Sequence, residues 1–143
     1  MNNQRVKKYR SAPIREAICD SLKQVNEPVD YNQIERYFVQ NNIKANKTTI
    51  YRQLDSLLEV GYISELDFGE GKKRYELKKK HHHHLLCTNC KKVECIDLDS
   101  EVCEKLHKLE NSFLRKNKFK IKSHMLEFFG LCGLCQEQIC NKH

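Results

Sequence analysis

Residues 46–61 read NKTTIYRQLDSLLEVG, and residues 62–77 read YISELDFGEGKKRYEL. Asn46 is a residue type that caps helix N-termini by accepting a backbone N–H. Behind it, Ile50, Leu54, Leu57 and Leu58 fall at i, i+4, i+7 and i+8, which is one apolar stripe of an α-helix. Gly61 supplies the stop. Residues 62–66 then read as a strand, Gly69-Glu70-Gly71 as a turn, and residues 74–77 as a returning strand.

Upstream, the pattern predicts two more helices. Pro13 suits the first turn of a helix that runs to about Lys23. Residues 26–28, Asn-Glu-Pro, interrupt it. A second helix starting near Asp30 turns Ile34, Tyr37 and Phe38 inward and ends at Asn41-Asn42. Three helices followed by a hairpin make a winged helix-turn-helix, whose third helix enters the major groove of DNA. Lys47, Thr48, Thr49, Tyr51 and Arg52 lie around the N-terminal turns of that helix, off its apolar stripe. Such side chains contact phosphates or base edges. Lys72 and Lys73 fall on the wing, where they sit near phosphates. The bland alternative is a polar solvent face.

The charge balance bears on the same question. The chain has 143 residues and a formal net charge of +7. Residues 1–80 hold 16 basic and 11 acidic side chains, against 10 and 8 in residues 81–143. Arg5, Lys7, Lys8, Arg10 and Arg15 occur before the first acid. A basic first half suits a polyanionic partner, because each phosphate contact releases counterions. No apolar run is long enough to span a bilayer, and the first residues lack a signal peptide's apolar core. The expectation is a cytoplasmic protein with no membrane partner.

After Lys78-Lys79-Lys80 the composition changes. The division expected is residues 1–79 as a DNA-binding domain and 80–143 as a second domain. The second half has strand-like residues 85–86 and 93–96, then a helix over about 100–115 with Val102, Leu106, Leu109 and Phe113 on one face. Further strands are expected at 119–122 and 125–129. The fold class is therefore α+β: a winged helix-turn-helix followed by a small α/β unit.

That unit carries most of the chain's eight cysteines. With no export signal, disulfides explain them less well than metal ligation. Cys87 and Cys90 form one Cys-x-x-Cys pair, and Cys132 and Cys135 another. Each knuckle presents two thiolates; two knuckles close a tetrahedral shell, the usual structural zinc site. A unit of some sixty residues has little core, so a metal staple contributes directly to its folding.

His81, His82, His83 and His84 lead into a strand. Alternate residues on a strand face opposite sides, so His82 and His84 share one face and His81 and His83 the other. The run can feed two metal sites, and imidazole suits zinc, iron, nickel and copper. The alternative is a solvated polar linker.

These motifs together resemble the ferric uptake regulator (Fur) superfamily of bacterial metal and peroxide sensors. Residues 10–15, RSAPIR, are similar to its opening Arg-x-Thr-x-x-Arg, with Ala12 in place of threonine. Residues 49–54, TIYRQL, and Gly61 look like its recognition helix, and RYEL at 74–77 and HHHH at 81–84 fall in its order. So do LLC-x-x-C at 85–90 and H-x-L-x-x-x-G-x-C-x-x-C at 124–135. The resemblance implies an obligate homodimer binding double-stranded operator DNA, and Arg15 joins the candidate DNA-binding residues. It implies structural Zn2+ on the four knuckle cysteines and a regulatory hinge site using Glu76, His82 and His84. It implies an additional site using His81, His83, His124 and a helix glutamate, with Glu104 preferred over Glu101.

Two departures stand out. Pro28 occupies a position where the family usually has a ligating histidine, and Cys95 replaces the usual carboxylate after the first cysteine pair. Cys95 is therefore a further candidate ligand, unless Glu94 substitutes or Cys95 is simply a small apolar residue. The function implied is an iron-responsive repressor of metal-uptake genes with regulatory Fe2+. A zinc-uptake or peroxide-stress regulator of the same superfamily is the alternative, and Zn2+ or Mn2+ the alternative regulatory ion. A zinc metalloenzyme is a remote one, because no hydrolase motif or nucleophile constellation is present; the chain reads as a non-enzyme.

Overall fold

In a computed structural model of the chain, the described residues are 3–140, with side chains from 12 to 139. The chain divides into two compact units, residues 1–79 and 80–143. Candidate residues before Ser11 lie outside the described side chains.

The first unit contains α1 (Asn3–Lys23), β1 (Val29–Asp30), α2 (Tyr31–Gln40), α3 (Lys47–Glu59), β2 (Ile63–Asp67) and β3 (Lys73–Leu77). Its core gathers Ile18 from α1, Ile34 and Phe38 from α2, and Ile50, Leu54 and Leu57 from α3. The α3 stripe read from the sequence is the buried one: Ile50, Leu54 and Leu57 are buried, and Leu58 packs against the cluster. Asn46 caps α3, its Oδ1 accepting the Thr49 N–H at 2.8 Å. Asp30 and Gln33 cap α2 reciprocally, each side chain bonded to the other's backbone N–H.

β2 and β3 form the expected hairpin, antiparallel, with Glu65 opposite Tyr75. Gly69 and Gly71 have φ of +73° and +75°, a conformation that makes glycine the natural choice at both ends of the turn. β1 adds a third strand, giving the order β1-β3-β2. This short strand was not expected, since two residues carry no period. Pro13 lies inside α1 rather than in its first turn; the helix tolerates the loss of one backbone hydrogen bond there.

The second unit contains β4 (His83–Cys87), β5 (Val93–Ile96), α4 (Ser100–Asn117), β6 (Glu127–Gly130) and α5 (Gly133–Cys140). The sheet order is β5-β4-β6, with β5 antiparallel and β6 parallel to β4. The expected strand at 119–122 is irregular chain. Its residues follow Lys118, whose left-handed φ of 52° ends α4, and Phe119, Lys120 and Lys122 are exposed. α4 is capped by Asp99 yet has no buried residue. Its apolar stripe remains open, with Val102, Leu109 and Phe113 all exposed.

Candidate metal centres and nucleic-acid face

Both cysteine knuckles are built from strand ends. β4 ends at Cys87, and the chain folds back tightly, with the Lys91 N–H donating to the Cys87 carbonyl at 2.9 Å. Lys91 takes a left-handed φ of 65° to complete this turn. β6, alongside β4, ends at Gly130, and the Thr88 N–H donates to its carbonyl at 2.8 Å. That pairing carries Cys132 to the first knuckle, and the start of α5 delivers Cys135.

The four Sγ atoms of Cys87, Cys90, Cys132 and Cys135 all lie within 4.8 Å of one another. Cys90 and Cys132 are 3.7 Å apart at sulfur. Zinc–sulfur bonds of about 2.3 Å in a tetrahedron place sulfurs about 3.8 Å apart, so the donor set fits zinc. None of the described cysteines is in a disulfide. The Cys132 N–H donates to Cys87 Sγ at 3.3 Å, and Asn89 Nδ2 donates to Cys135 Sγ at 3.2 Å. Backbone N–H groups, that of Cys132 first, pull the Cys87 thiol down to about 6. The thiolate, which is the ligating form, is thus favoured at Cys87, while the neighbouring Cys90 is pushed the other way.

The histidine run splits by strand alternation. On one face, His81, His83 and His124 bring ring nitrogens within 4.8 Å of one another. His81 and His124 are 2.8 Å apart at Nε2. His83 is buried, which with the nearby His81 lowers its pKa below the ordinary value. Burial thus favours the neutral imidazole, the form that binds a metal.

The carboxylate beside His124 is Glu110, its Oε1 2.6 Å from His124 Nδ1. Glu104 is exposed and lies outside this histidine cluster, and Glu101 pairs with Lys105. The six-residue step from Glu104 to Glu110 turns the helix by about 240°, so the two project from different faces. Glu110 therefore orients His124 from behind, holding Nδ1–H and leaving Nε2 toward His81.

On the opposite face, His82, His84 and Cys95 have ligand atoms within 4.8 Å of one another. His84 is directly opposite Cys95 in the β4–β5 ladder. His82 Nδ1 lies 2.8 Å from the Lys80 carbonyl, which defines Nδ1 as the donor and presents Nε2 for ligation. Glu94, one residue before Cys95, faces the other way, pairs with Leu85 and is bonded to Lys92 at 2.7 Å. Glu76 belongs to the first unit, on β3 opposite Ser64. Pro28 is fully buried, and its carbonyl accepts from Arg74 Nη1 at 3.4 Å.

In the first unit, Lys47, Thr48 and Arg52 are exposed on α3, with Tyr51 and Thr49 half-buried. Tyr51 stacks on Tyr31 of α2 at 5.0 Å with the rings 8° from parallel. Lys47 Nζ sits over both rings, 5.2 Å and 5.9 Å from their centroids. No sequence period marks Tyr31, since the pair is made only when α2 and α3 meet. Other candidates have partners inside the unit. Arg15 donates to Gln53 at 3.3 Å and to Ser56 at 3.0 Å, tying α1 to the back of α3. Lys72 pairs with the capping residue Asp30, and Lys73 with Glu65.

The sequence likeness extends over most of the chain. Residues 7–129 match the ferric uptake regulator family. The ferric uptake regulation protein of Bacillus subtilis (strain 168) is 33% identical over 134 residues, covering 89% of this chain and 85% of that one. The peroxide-responsive repressor PerR of Staphylococcus aureus (strain USA300) is 24% identical over 129 residues, covering 90% and 84%. Among solved structures, the Helicobacter pylori ferric uptake regulator Fur superposes with a TM-score of 0.73 at 26% identity, over 87% of this chain and 81% of that one. With its winged helix, its four-cysteine cluster and its histidine-rich strand, this chain belongs to the ferric uptake regulator family, metal-responsive transcription regulators that bind DNA and are not enzymes.

Proposed function

We propose that the protein is a metal-dependent repressor of metal-uptake genes that binds double-stranded operator DNA as a homodimer. The observation that carries the reading is the convergence of His82 and His84 at the start of the second unit, where the chain enters β4, backed by a four-cysteine cluster. Glu76, on the last strand of the first unit, is the donor we assign to the same site from the DNA-binding half. A divalent cation, when bound, supplies coordinate bonds that favour the arrangement in which donors from both halves converge. In this reading His82 and His84 supply imidazole nitrogens to the ion, and Cys87, Cys90, Cys132 and Cys135 anchor the strand that follows them.

The open apolar stripe of α4, with exposed Phe128 and Phe129 on β6, supports dimerisation. Lys47, Thr48, Thr49, Tyr51 and Arg52 are the residues we assign to DNA, with Lys72 and Lys73 beside them on the wing and Arg15 positioning α3 through Gln53 and Ser56. His81, His83 and His124 form a further metal site oriented by Glu110. No described helix is long and apolar enough to cross a membrane, and we place the protein in the cytoplasm. The names of the relatives support Fe2+ as the signal. The donor atoms of this chain favour Zn2+, because Cys95 stands beside the two imidazoles.

The test is operator binding by the full chain with and without added ferrous iron, manganese or zinc. Binding should be stimulated by one of these ions. His82→Ala with His84→Ala should remove that stimulation and leave a folded dimer. Unaltered stimulation in the double variant refutes the assignment.

A further inference from the structure

Strand geometry decides which atom β5 contributes to the His82–His84 centre. Successive residues of a strand face opposite sides. Cys95 is the cross-strand partner of His84, so its side chain shares the face that His82 and His84 occupy. Glu94 is turned to the other face, exposed, and held by Lys92. The carboxylate next in sequence is thereby excluded, and the donor from β5 is sulfur. Cys95 Sγ lies within 4.8 Å of ligand nitrogens of both histidines. The His82 ring is fixed by the Lys80 carbonyl, and His84 is buried.

We infer that His82, His84 and Cys95 form a mixed imidazole–thiolate centre that selects zinc over ferrous iron and manganese. This rests on the reading of that face of β4 as the regulatory site, and names the ion it answers to. The physical reason is donor softness. Thiolate and imidazole suit borderline ions such as zinc, whereas manganese favours oxygen donors. The two faces of one strand then differ in kind. His81, His83 and His124 offer nitrogen alone, while His82, His84 and Cys95 include sulfur.

The experiment uses the full chain with its four-cysteine cluster already filled by zinc, as checked by elemental analysis before and after. One equivalent of cobalt(II) is added as a spectroscopic probe, and zinc and manganese affinities are measured by chelator competition. The near-ultraviolet sulfur-to-cobalt charge-transfer band should appear in the parent protein. It should vanish in Cys95→Ser and persist in Cys103→Ser, which alters an exposed cysteine on α4. The ratio of zinc to manganese affinity should fall at least about tenfold in Cys95→Ser, the loss that follows when a metal site loses a tuned partner. Cys95→Asp should keep manganese binding while losing the zinc preference.

A parent protein with no such band, or a Cys95→Ser protein that keeps it, overturns the thiolate centre. An unchanged zinc-to-manganese ratio in Cys95→Ser overturns the selectivity. A band that depends on Cys95, in a protein whose operator binding ignores added zinc, leaves the centre standing and overturns the regulatory reading instead.

Discussion

Replacing Glu70 by alanine tests how the wing is held. Glu70 sits between two glycines at the hairpin turn, and both its oxygens accept from Arg74, at 2.8 Å and 3.0 Å. Both side chains are only 5% exposed. Arg74 also donates to the Pro28 carbonyl and pairs in register with Asp30, so it binds the wing to β1. Glu70 is not among the residues of positive φ, so alanine adds no backbone strain there.

Removing one partner of a buried pair leaves a desolvated charge behind and costs about 3–5 kcal/mol. An exposed pair is worth only about 0–1 kcal/mol. Water reaching the space left by the shortened side chain argues for the lower end, roughly 3 kcal/mol. In a unit of this size that lowers the melting temperature by roughly 12–24 °C. Tyrosine fluorescence isolates the effect, because all six tyrosines precede residue 76 and there is no tryptophan. The double change Glu70→Leu with Arg74→Met should recover much of the loss, since a packed apolar pair replaces a buried ionic one at little cost. A loss below about 1 kcal/mol in Glu70→Ala would refute the buried-pair argument.

Cys135→Ser should melt the second unit, seen as lost helical circular dichroism, while the tyrosine transition of the first unit stays in place. Unchanged dichroism after verified zinc loss would remove the structural role of the cluster. Arg52→Ala should weaken operator binding and reduce the salt slope by roughly one ion. Arg15→Ala should lower the stability of the first unit and leave that slope alone, because Arg15 is bonded to Gln53 and Ser56. Equal slopes in the Arg52 variant and the parent would exclude Arg52 from phosphate contact. Tyr75 has its pKa raised from 10.0 to about 12, by burial first and then by Glu65. A raised pKa means stability that is complete below pH 10 and lost as pH rises through about 12. Tyr75→Phe should therefore flatten the stability curve over that window, and a curve as steep as the parent's would contradict the assignment.

Features with a short-range rule behind them were legible. The α3 stripe, its Asn46 cap and the glycine-flanked turn follow from local periodicity and backbone preference. Spacing within each Cys-x-x-Cys and alternation within the histidine run are equally local. What escaped the sequence reading depends on how elements meet. Tyr31 matters only because α2 brings it against Tyr51. Glu110 is one of several acids on α4, and only the return of the chain at His124 distinguishes it. Lys72 and Lys73 look like free cations in sequence, and the hairpin register brings acids to them. Strand phase alone separates Cys95 from Glu94.

The run of four histidines that leads into β4 has a further property. A run of identical residues carries no information about its own alignment: slipped by one place, it still offers imidazole to both sides of the sheet. The alignment must be written elsewhere, and it is written downstream. Leu86 and Cys87 are buried at 4% and 5% exposure, while Leu85 between His84 and Leu86 is 37% exposed. A one-residue slip would expel Leu86 and misplace a zinc-cluster sulfur. Lengthening the run at its upstream end therefore leaves both centres in frame, whereas a single residue inserted between His84 and Leu85 takes the place of His84 opposite Cys95 and turns each histidine to the other face. The cysteine cluster thus acts as the reading-frame marker for the histidines.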